Sequence, residues 1–304
     1  MKLRTTEMAE LASPIRVIIL GVVRNCESSI CEEYSKLLRA CRSLEVVDSF
    51  FVESDSTDKT YERLLSLSKS NQQFHFESLG DLRLKIPQRI ERIRYCRNKY
   101  IDYLRMNHTV DSFDYAIVAD MDKINSSITA FALNSCFIDT EWDAVFSNQL
   151  FGVSDLLALR AKGWVEGDYL VELEESRKEL RAAKIKSNFL SRFNQFLKYD
   201  TTRRRVIYDR MRFIGFGKKM IKVDSAFGGI AIYKSWCFFK CDYSSIDSIH
   251  ECEHVSFNLA LGKFGARMFI NPRFINSIFN TYNINKNFFI RNVRLWRWNQ
   301  RKLE

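Results

Sequence analysis

The sequence predicts an α/β protein in which helices flank a central, mostly parallel sheet. Short apolar segments rich in β-branched residues alternate with segments of helical periodicity. The apolar segments are continuous, as expected of strands that are buried on both faces. With 304 residues and only 3 Pro, the chain is long enough for one large domain or two smaller ones and is poor in the turns of a sandwich.

The first half of the chain contains the clearest strand–helix repeats. Apolar runs that end in polar residues predict its strands, and apolar positions at helical spacing predict the helices between them. Strands are predicted at 15–23, 45–52, 75–79 and 115–118, and helices at 28–41, 61–67 and 90–104.

The second half is less regular and contains a long basic segment. This segment is predicted to be helical to residue 197 and loop-like through 201–205. The sequence VDSAFGGIAIY predicts a strand with a glycine kink. The remaining predicted elements are strands at 143–148, 223–233 and 268–271 and a helix at 249–261.

Polar side chains follow three of the predicted strands. These strand ends read Val23-Arg24-Asn25, Glu53-Ser54-Asp55 and Asp120-Met121-Asp122. In an open α/β sheet, ligands bind beyond the carboxyl ends of the strands. The chain has neither a GxGxxG nor a GxxxxGK[ST] motif, so a nucleotide at this edge would be held by side chains and a metal.

Asp120 and Asp122 are the most informative pair among these residues. Two carboxylates at the end of a buried strand lose water and repel each other. A divalent cation between them and a phosphate-bearing ligand makes the arrangement favourable. The alternative is a solvated turn in which the aspartates cap the following segment.

The positive charge is concentrated in one segment. Residues 177–222 contain 15 Lys and Arg against three acidic residues, an excess larger than the net charge of +10 of the whole chain. Such a block predicts a polyanionic partner, namely anionic lipid headgroups, nucleotide phosphates or nucleic acid. A solvated helical face is the alternative. Residues 288–298 alternate aromatics with arginines, which suits a membrane interface, base stacking or core packing.

The cysteines and the amino-terminal residues predict a cytoplasmic protein. The eight cysteines are scattered, and no signal peptide precedes them. The apolar run at 15–23 is too short to span a bilayer. We therefore expect free thiols in a cytoplasmic protein, with peripheral contact to the cytoplasmic face of an anionic membrane as a further expectation.

Taken in order, these motifs resemble a nucleotide-sugar-dependent glycosyltransferase of the GT-A fold. The resemblance is carried by VVRN, ESDSTDKT, IRYCRNKYIDYL, FDYAIVADMD, and VDSAFGGIAIYK followed by ECEHVSFNLAL. The segment SNQLFGVSDLLALR is similar to a stretch in some bacterial, viral and fungal members, and the first half is similar to fungal capsule mannosyltransferase relatives. The resemblance covers residues 15–275. It implies a donor half at about 15–150 and an acceptor half at about 151–275, which includes a basic insert at about 168–222; residues 1–14 form an extension and 276–304 a tail.

The resemblance also implies roles for individual residues. Asp120 and Asp122 would bind Mn²⁺ or Mg²⁺, with His254 as a further possible ligand. The donor would be a UDP- or GDP-sugar, and the acceptor a glycan or a lipid-linked glycan. Donor contacts are expected from Arg24, Asn25, Glu53, Asp55, Arg97 and Asp120, and acceptor or sugar contacts from Asp155, Arg160, Gly228, Gly229 and Glu251.

A cluster of ionisable residues late in the chain is expected to activate the acceptor; its members are His250, Glu251, Glu253 and His254. In an inverting transferase one carboxylate removes the proton of the acceptor hydroxyl, and Glu253 is the expected base. Asp224 is a second candidate for the catalytic group. The usual Glu-Asp pair of the family reads Glu253-His254 here, which leaves the identity of the base open, as well as the choice between inversion, which we favour, and retention.

Three alternatives compete with the hexosyltransferase hypothesis. A nucleotidyltransferase also pairs aspartates around a metal, but the chain lacks a glycine-rich triphosphate loop. A basic nucleic-acid-binding protein would explain the insert and the tail, yet not the acidic strand ends, so nucleic acid is an unlikely partner. A zinc site from Cys237, Cys241, His250, Cys252 and His254 matches no common spacing.

Overall fold

The computed structural model describes residues 13–139, 141–153, 155–186, 189–244 and 252–278. Residues 1–12 of the predicted extension, all but the first residues of the tail 276–304, and the candidates His250 and Glu251 therefore lie outside the described residues. No helix within the described ranges is long and apolar enough to cross a membrane.

Within the described ranges, eight strands and eight α-helices follow one another. The strands are β1 (Arg16–Val23), β2 (Glu45–Glu53), β3 (Phe74–Ser78), β4 (Tyr115–Ala119), β5 (Ala144–Gln149), β6 (Ile221–Lys222), β7 (Ile230–Lys234) and β8 (Met268–Ser277). The helices are α1 (Ile30–Ala40), α2 (Thr60–Ser70), α3 (Arg89–Asn107), α4 (Ala130–Asn134), α5 (Tyr169–Lys186), α6 (Phe189–Arg203), α7 (Trp236–Lys240) and α8 (Glu253–Lys263).

The strands form one sheet in the order β3-β2-β1-β4-β7-β5-β8-β6. The pairs β1–β2, β2–β3, β1–β4 and β5–β8 are parallel, whereas β7 is antiparallel to β4 and β5, and β6 is antiparallel to β8. The predicted α/β class with a mostly parallel sheet and flanking helices is confirmed.

The apolar runs read from the sequence fill two layers, one on each face of the sheet. In β1, Ile18 and Leu20 pack toward α3, while Val17 and Ile19 pack toward α1 and α4. All four side chains are fully buried. A strand covered on both faces needs such a continuous apolar run, which explains why β1 lacks polar alternation.

The connections place a crevice at the carboxyl ends of β1 and β4. From β1 the chain proceeds outward to β2 and β3, and it then returns to β4 on the other side of β1. The loops that leave β1 and β4 consequently diverge to opposite sides, which opens a cleft at this topological switch point. Asn25 follows β1 and Asp120 follows β4 at this edge.

Two predicted elements differ from the structure. The segment 201–205 is not a loop, because α6 continues to Arg203 and a π-helical turn spans Arg204–Tyr208, where Val206 and Tyr208 are buried. The predicted strand 223–233 is a strand only at β7. Gly228 and Gly229 have φ values of 76° and 99°, so the residues before them form a loop.

Candidate functional site

A cavity of about 600 Å³ lies at the switch point. The residues after β1, β2 and β4, one face of α3 and the start of α8 line it. Its charged lining consists of the carboxylates of Asp55, Asp120, Asp122, Asp155, Asp168 and Glu253 and the guanidinium groups of Arg24, Arg89, Arg92 and Arg97.

Unusual backbone conformations cluster at the same edge of the sheet. Among the described residues, the non-glycine residues with positive φ are Asn25, Asp55 and Lys123, at 52°, 58° and 76°. They follow β1, β2 and β4, respectively. Such conformations are costly for residues with a Cβ and occur preferentially at functional sites. At Asn25, side-chain Oδ1 accepts a hydrogen bond from the Thr57 backbone N–H at 2.8 Å, which ties the loop after β1 to the loop after β2.

Asp55 is held by two arginines rather than left free in the cavity. Its Oδ1 accepts a hydrogen bond from the Arg83 backbone N–H at 2.9 Å, and its Oδ2 lies 3.2 Å from Arg92 Nε. Burial raises the pKa of Asp55, but the hydrogen bond from Arg83 and the charges of Arg92 and Arg83 outweigh burial, so this pKa lies below its ordinary value. Asp55 is therefore ionised at neutral pH.

Arg97 connects the two acidic centres that the sequence predicts separately. From α3, its Nε donates to Glu253 Oε1 at 3.0 Å, and its Nη2 lies 3.5 Å from Asp120 Oδ1. The guanidinium also lies over the rings of Phe227 and Tyr243, at 5.3 and 5.7 Å from their centroids. Nη1 of Arg97 is buried and has no hydrogen-bond partner among the described residues.

Asp120 lies in the densest part of this charge cluster. Burial raises the pKa of Asp120 to about 7, the charge of Arg97 opposes the rise, and the negative charges of Asp122, Glu253 and Asp155 add to it. The side chain nonetheless keeps 33% of its surface exposed, so it is accessible from the cavity. A group in this position gains from a cation placed beside it.

His254 lies next to Glu253 at the start of α8 and is neutral. Its ring stacks on Phe227 with centroids 3.7 Å apart, and Nε2 is 3.7 Å from Glu253 Oε1. Burial and the charge of Arg97 lower the pKa of His254 well below its ordinary value. Both ring nitrogens are buried, and neither has a hydrogen-bond partner among the described residues.

The Gly228–Gly229 turn fixes the loop after β4. The Gly229 carbonyl accepts hydrogen bonds from the Asp120 backbone N–H and from Asn125 Nδ2, both at 2.9 Å. Asn276 Nδ2 donates to Asn125 Oδ1 and to the Gly228 carbonyl, both at 2.8 Å. A buried amide network thus positions the two aspartates.

Asp155 joins this turn to the cavity. Its Oδ2 accepts from the Gly228 backbone N–H at 3.1 Å, and its Oδ1 accepts from the Ala158 N–H at 3.3 Å. Burial raises the pKa of Asp155, and the two hydrogen bonds oppose this rise. The carboxylate is therefore fixed in orientation at the cavity wall.

The oxygen ligands of this site fit a hard divalent cation. Within the part of the chain that the structure describes, no three or more His, Cys, Asp or Glu side chains are grouped to hold a metal by themselves. Mg²⁺ and similar ions typically take one or two carboxylates and complete their shell with water and substrate phosphates. Asp120 and Asp122 supply such a pair, and a cation beside Asp120 would favour its ionised form against the burial that raises its pKa.

Several predicted site residues do not reach this cavity. The oxygens of Glu53 accept hydrogen bonds from the Ser56 backbone N–H and the Ser78 hydroxyl, which gives this side chain a local structural contact. Asp224 and Arg160 line a separate cavity of about 360 Å³, because an antiparallel bridge pairs Arg160 with Ser225.

The sequence also missed residues that line the cavity. Arg89, Arg92, Asp168 and Phe227 all face it. The spacing of Arg89 and Arg92 along α3 contains a signal for them, since a helix places both within one broad face together with Arg97. Nothing in the sequence marks Phe227 as the ring that stacks on His254.

The zinc alternative receives no support from the described residues. Cys237 lies in α7, where its Sγ is 3.7 Å from the Asp143 carbonyl, and Cys241 is buried just after this helix. No metal-binding group that includes either cysteine is found among the described residues.

No protein-family model and no curated protein match the chain. One solved structure to which it is similar is a mannosyltransferase from Pyrobaculum calidifontis with GDP-Man and Mn²⁺, at 12% identity over 87% of this chain and 58% of that one, with a TM-score of 0.41. Another is S. aureus TarS 1-349, at 11% identity over 84% of this chain and 58% of that one, with a TM-score of 0.41. A third is glucosyl-3-phosphoglycerate synthase from Mycobacterium tuberculosis with Mn²⁺, UDP and phosphoglyceric acid, at 11% identity over 88% of this chain and 70% of that one, with a TM-score of 0.39.

The chain spans 58% of the length of the first two of these proteins. All three TM-scores are below 0.5, so the function proposed for this chain depends on the geometry of its own site.

Proposed function

We propose that the protein is a metal-dependent glycosyltransferase that moves a sugar, expected to be a hexose, from a UDP- or GDP-sugar to a hydroxyl of a glycan or glycolipid. The observation that supports this proposal most strongly is the cavity at the switch point, where Asp120 and Asp122 face Arg97. A nucleoside diphosphate with a divalent cation complements this mixture of carboxylates and guanidinium groups.

In this proposal the loops after β1, β2 and β4 bind the donor. Asp120 and Asp122 hold Mn²⁺ or Mg²⁺, which offsets negative charge on the departing diphosphate when it is bound. Arg24 lines the cavity and contacts phosphate or base, and the buried Arg97 Nη1 donates to the donor. Asn25 shapes the donor loop, whereas Asp55 accepts from the nucleoside only through oxygen lone pairs that its arginine partners leave available.

The acceptor is proposed to enter beside α8 and the glycine turn. Glu253 is the proposed base, and its hydrogen bond with Arg97 must lengthen when it takes the hydroxyl proton. Asp155 and His254 face the same cavity and are proposed to contact the sugar, with His254 retained as a possible metal ligand. Gly228 and Gly229 position the wall of the site, while Arg160, Asp224 and Glu251 remain proposed contacts of a longer acceptor.

A nucleotidyltransferase is the second candidate, because paired aspartates and a metal serve that reaction as well. The chain has no GxxxxGK[ST] loop of the kind that binds a triphosphate, which favours the transferase. Nucleic acid is a poor partner for the cavity itself, since six carboxylates line it. The wider proposal is a cytoplasmic enzyme that meets a lipid-linked acceptor at the surface of an anionic membrane.

The proposal is tested by thermal-shift measurements with UDP-, GDP- and CMP-sugars, each with and without Mn²⁺. Stabilisation by one nucleotide sugar that requires Mn²⁺ is expected, because binding to the folded state alone raises the midpoint of unfolding. Asp122→Ala should abolish this response, and Asp102→Ala, an exposed aspartate on another part of α3, should leave it intact. A protein that responds to none of the donors, or equally in Asp122→Ala, contradicts the proposal.

A further inference from the structure

An exposed loop between the π-helical turn and β6 combines aromatic and basic side chains. Phe213 and Phe216 expose 61% and 50% of their surface. Lys218 and Lys219 are exposed beside them, and residues 212–222 contain no acidic residue. Arg212 is exposed as well, but its Nη2 donates to the Gly163 carbonyl at 3.0 Å, so the two lysines are the cations that the inference uses. We call residues 212–219 the aromatic–basic loop. Two exposed phenylalanines within four residues are unusual for a surface that faces only water.

The backbone of this loop is fixed by hydrogen bonds to the body of the protein. Asn148 Nδ2 donates to the Ile214 carbonyl at 3.1 Å, and the Val153 backbone N–H donates to the Arg212 carbonyl at 3.1 Å. Ile214 itself is buried. The Ile214 side chain therefore anchors the loop, while Phe213 and Phe216 remain exposed.

The aromatic–basic loop lies at the edge of the sheet that also carries the cavity. Asn148 belongs to the last residues of β5, which runs in the same direction as β4, because both strands are antiparallel to β7. Gly152 immediately precedes Val153, whose N–H contacts the loop, and it has a φ of 120°. A Cβ at Gly152 would lie 2.8 Å from the Met211 carbonyl oxygen. The loop thus packs tightly against the carboxyl side of the sheet.

We propose that the aromatic–basic loop inserts into the surface of an anionic phospholipid bilayer. Phenylalanine has no hydrogen-bonding group, so burial in the acyl boundary satisfies it completely, while the neighbouring cations reach the lipid phosphates. A soluble polyanion would pair with the cations but would offer no apolar phase in which to bury Phe213 and Phe216. A bilayer complements both halves of the loop.

This inference rests on the membrane contact included in the proposed function and assigns that contact to one loop, but it does not depend on the transferase activity. Contact through the loop would hold the carboxyl edge of the sheet at the bilayer surface. The inference accounts for one part of the positive charge of residues 177–222 by a specific surface, rather than by the segment as a whole. It predicts that lipid binding requires neither donor nor metal.

The test is co-sedimentation of the full-length protein with vesicles of phosphatidylcholine alone and of phosphatidylcholine mixed with phosphatidylserine. Salt-sensitive binding to the mixed vesicles is expected, because exposed cations are screened by salt. The double variant Phe213→Ser/Phe216→Ser should bind at least about tenfold more weakly. Lys218→Ala/Lys219→Ala should weaken binding by about fivefold or more at low salt.

Phe131→Ser is the matched control, because Phe131 exposes 76% of its surface at a different place in the fold. It should bind the mixed vesicles as the wild type does. Absence of binding to mixed vesicles, or equal binding by wild type and both loop variants, overturns the proposal. Loop-dependent binding to soluble dextran sulfate without binding to vesicles also overturns it, in favour of a soluble polyanion. Because no sugar donor is present, these outcomes are separate from those of the nucleotide-sugar screen.

Discussion

Replacing Asp120 by asparagine should stabilise the metal-free protein at pH 8. The structure places this carboxylate beside Asp122, Glu253 and Asp155, with Arg97 as its nearby cation. Asparagine has the same shape without the charge, so Asp120→Asn removes the repulsion and keeps the side-chain volume. A change that abolishes a metal ligand is thus expected to make the fold more stable.

The size of the effect follows from the pKa of Asp120. Its rise from 3.8 to about 7 corresponds to at most about 4 kcal/mol of destabilisation when the group is ionised. Because 33% of the side chain is exposed, screening reduces this value to roughly 1–2 kcal/mol. For a chain of this size that amounts to an increase of a few degrees in the unfolding midpoint.

The difference between wild type and Asp120→Asn should depend on pH. A carboxyl group with a raised pKa binds its proton more tightly in the folded state, so its contribution to stability is greatest below the unfolded pKa. This contribution is lost as pH rises from about 4 through about 7. The stabilities of the two proteins should therefore differ least below about pH 4, differ increasingly from there upward, and diverge most above pH 7.

Thermal unfolding between pH 5 and pH 8.5, with and without Mn²⁺, measures both effects. Mn²⁺ with the responding nucleoside diphosphate should stabilise the wild type more at pH 8 than at pH 5, because the cation needs the ionised carboxylate. It should leave Asp120→Asn unchanged. An Asp120→Asn protein that is less stable than the wild type at pH 8, or whose difference from it does not vary with pH, refutes this electrostatic account of the site.

Two further predictions concern the supports of the site. Gly229→Ala should lower the free energy of unfolding, measured in urea, by about 2–3 kcal/mol, because its Cβ would lie 2.6 Å from Ile124 Cγ2 at a φ of 99°. The control Gly167→Ala should change this free energy little, because no atom lies within 4 Å of its Cβ. Equal losses in the two variants would contradict the role of the turn. Arg97→Met should lower the free energy of unfolding by about 3–5 kcal/mol, because it leaves Glu253 buried without its cation. Arg97→Lys should recover part of that loss. A fully stable Arg97→Met protein would show that the pair is not needed for folding.

Much of the cavity lining that follows β1, β2 and β4 could be predicted from the sequence. Each of Arg24, Asp55, Asp120 and Asp122 comes at or just after the end of an apolar run, and such runs predict strands by composition alone. Parallel strands then bring their carboxyl ends to one edge, so local signals are sufficient. Residues 201–205 were predicted wrongly because burial of Val206 in the tertiary structure extends the helical path beyond its local signal.

The second half of the chain shows the limit of local signals. Asp224 was predicted to belong to the catalytic site, but the bridge between Arg160 and Ser225 directs it to another cavity. Sequence spacing does not encode such pairing, because it depends on which distant segments meet. Glu251 was predicted as well and lies outside the described residues, so its role stays a prediction.

By itself, the sequence determined the α/β class, the strand ends that carry the acidic residues and the concentration of positive charge in residues 177–222. These features follow from local periodicity and composition. Only the tertiary structure decided that Arg97, more than 150 residues from Glu253 along the chain, links that glutamate to Asp120. It also decided that His254 is buried against Phe227 and neutral, because desolvation and a nearby cation depend on three-dimensional packing.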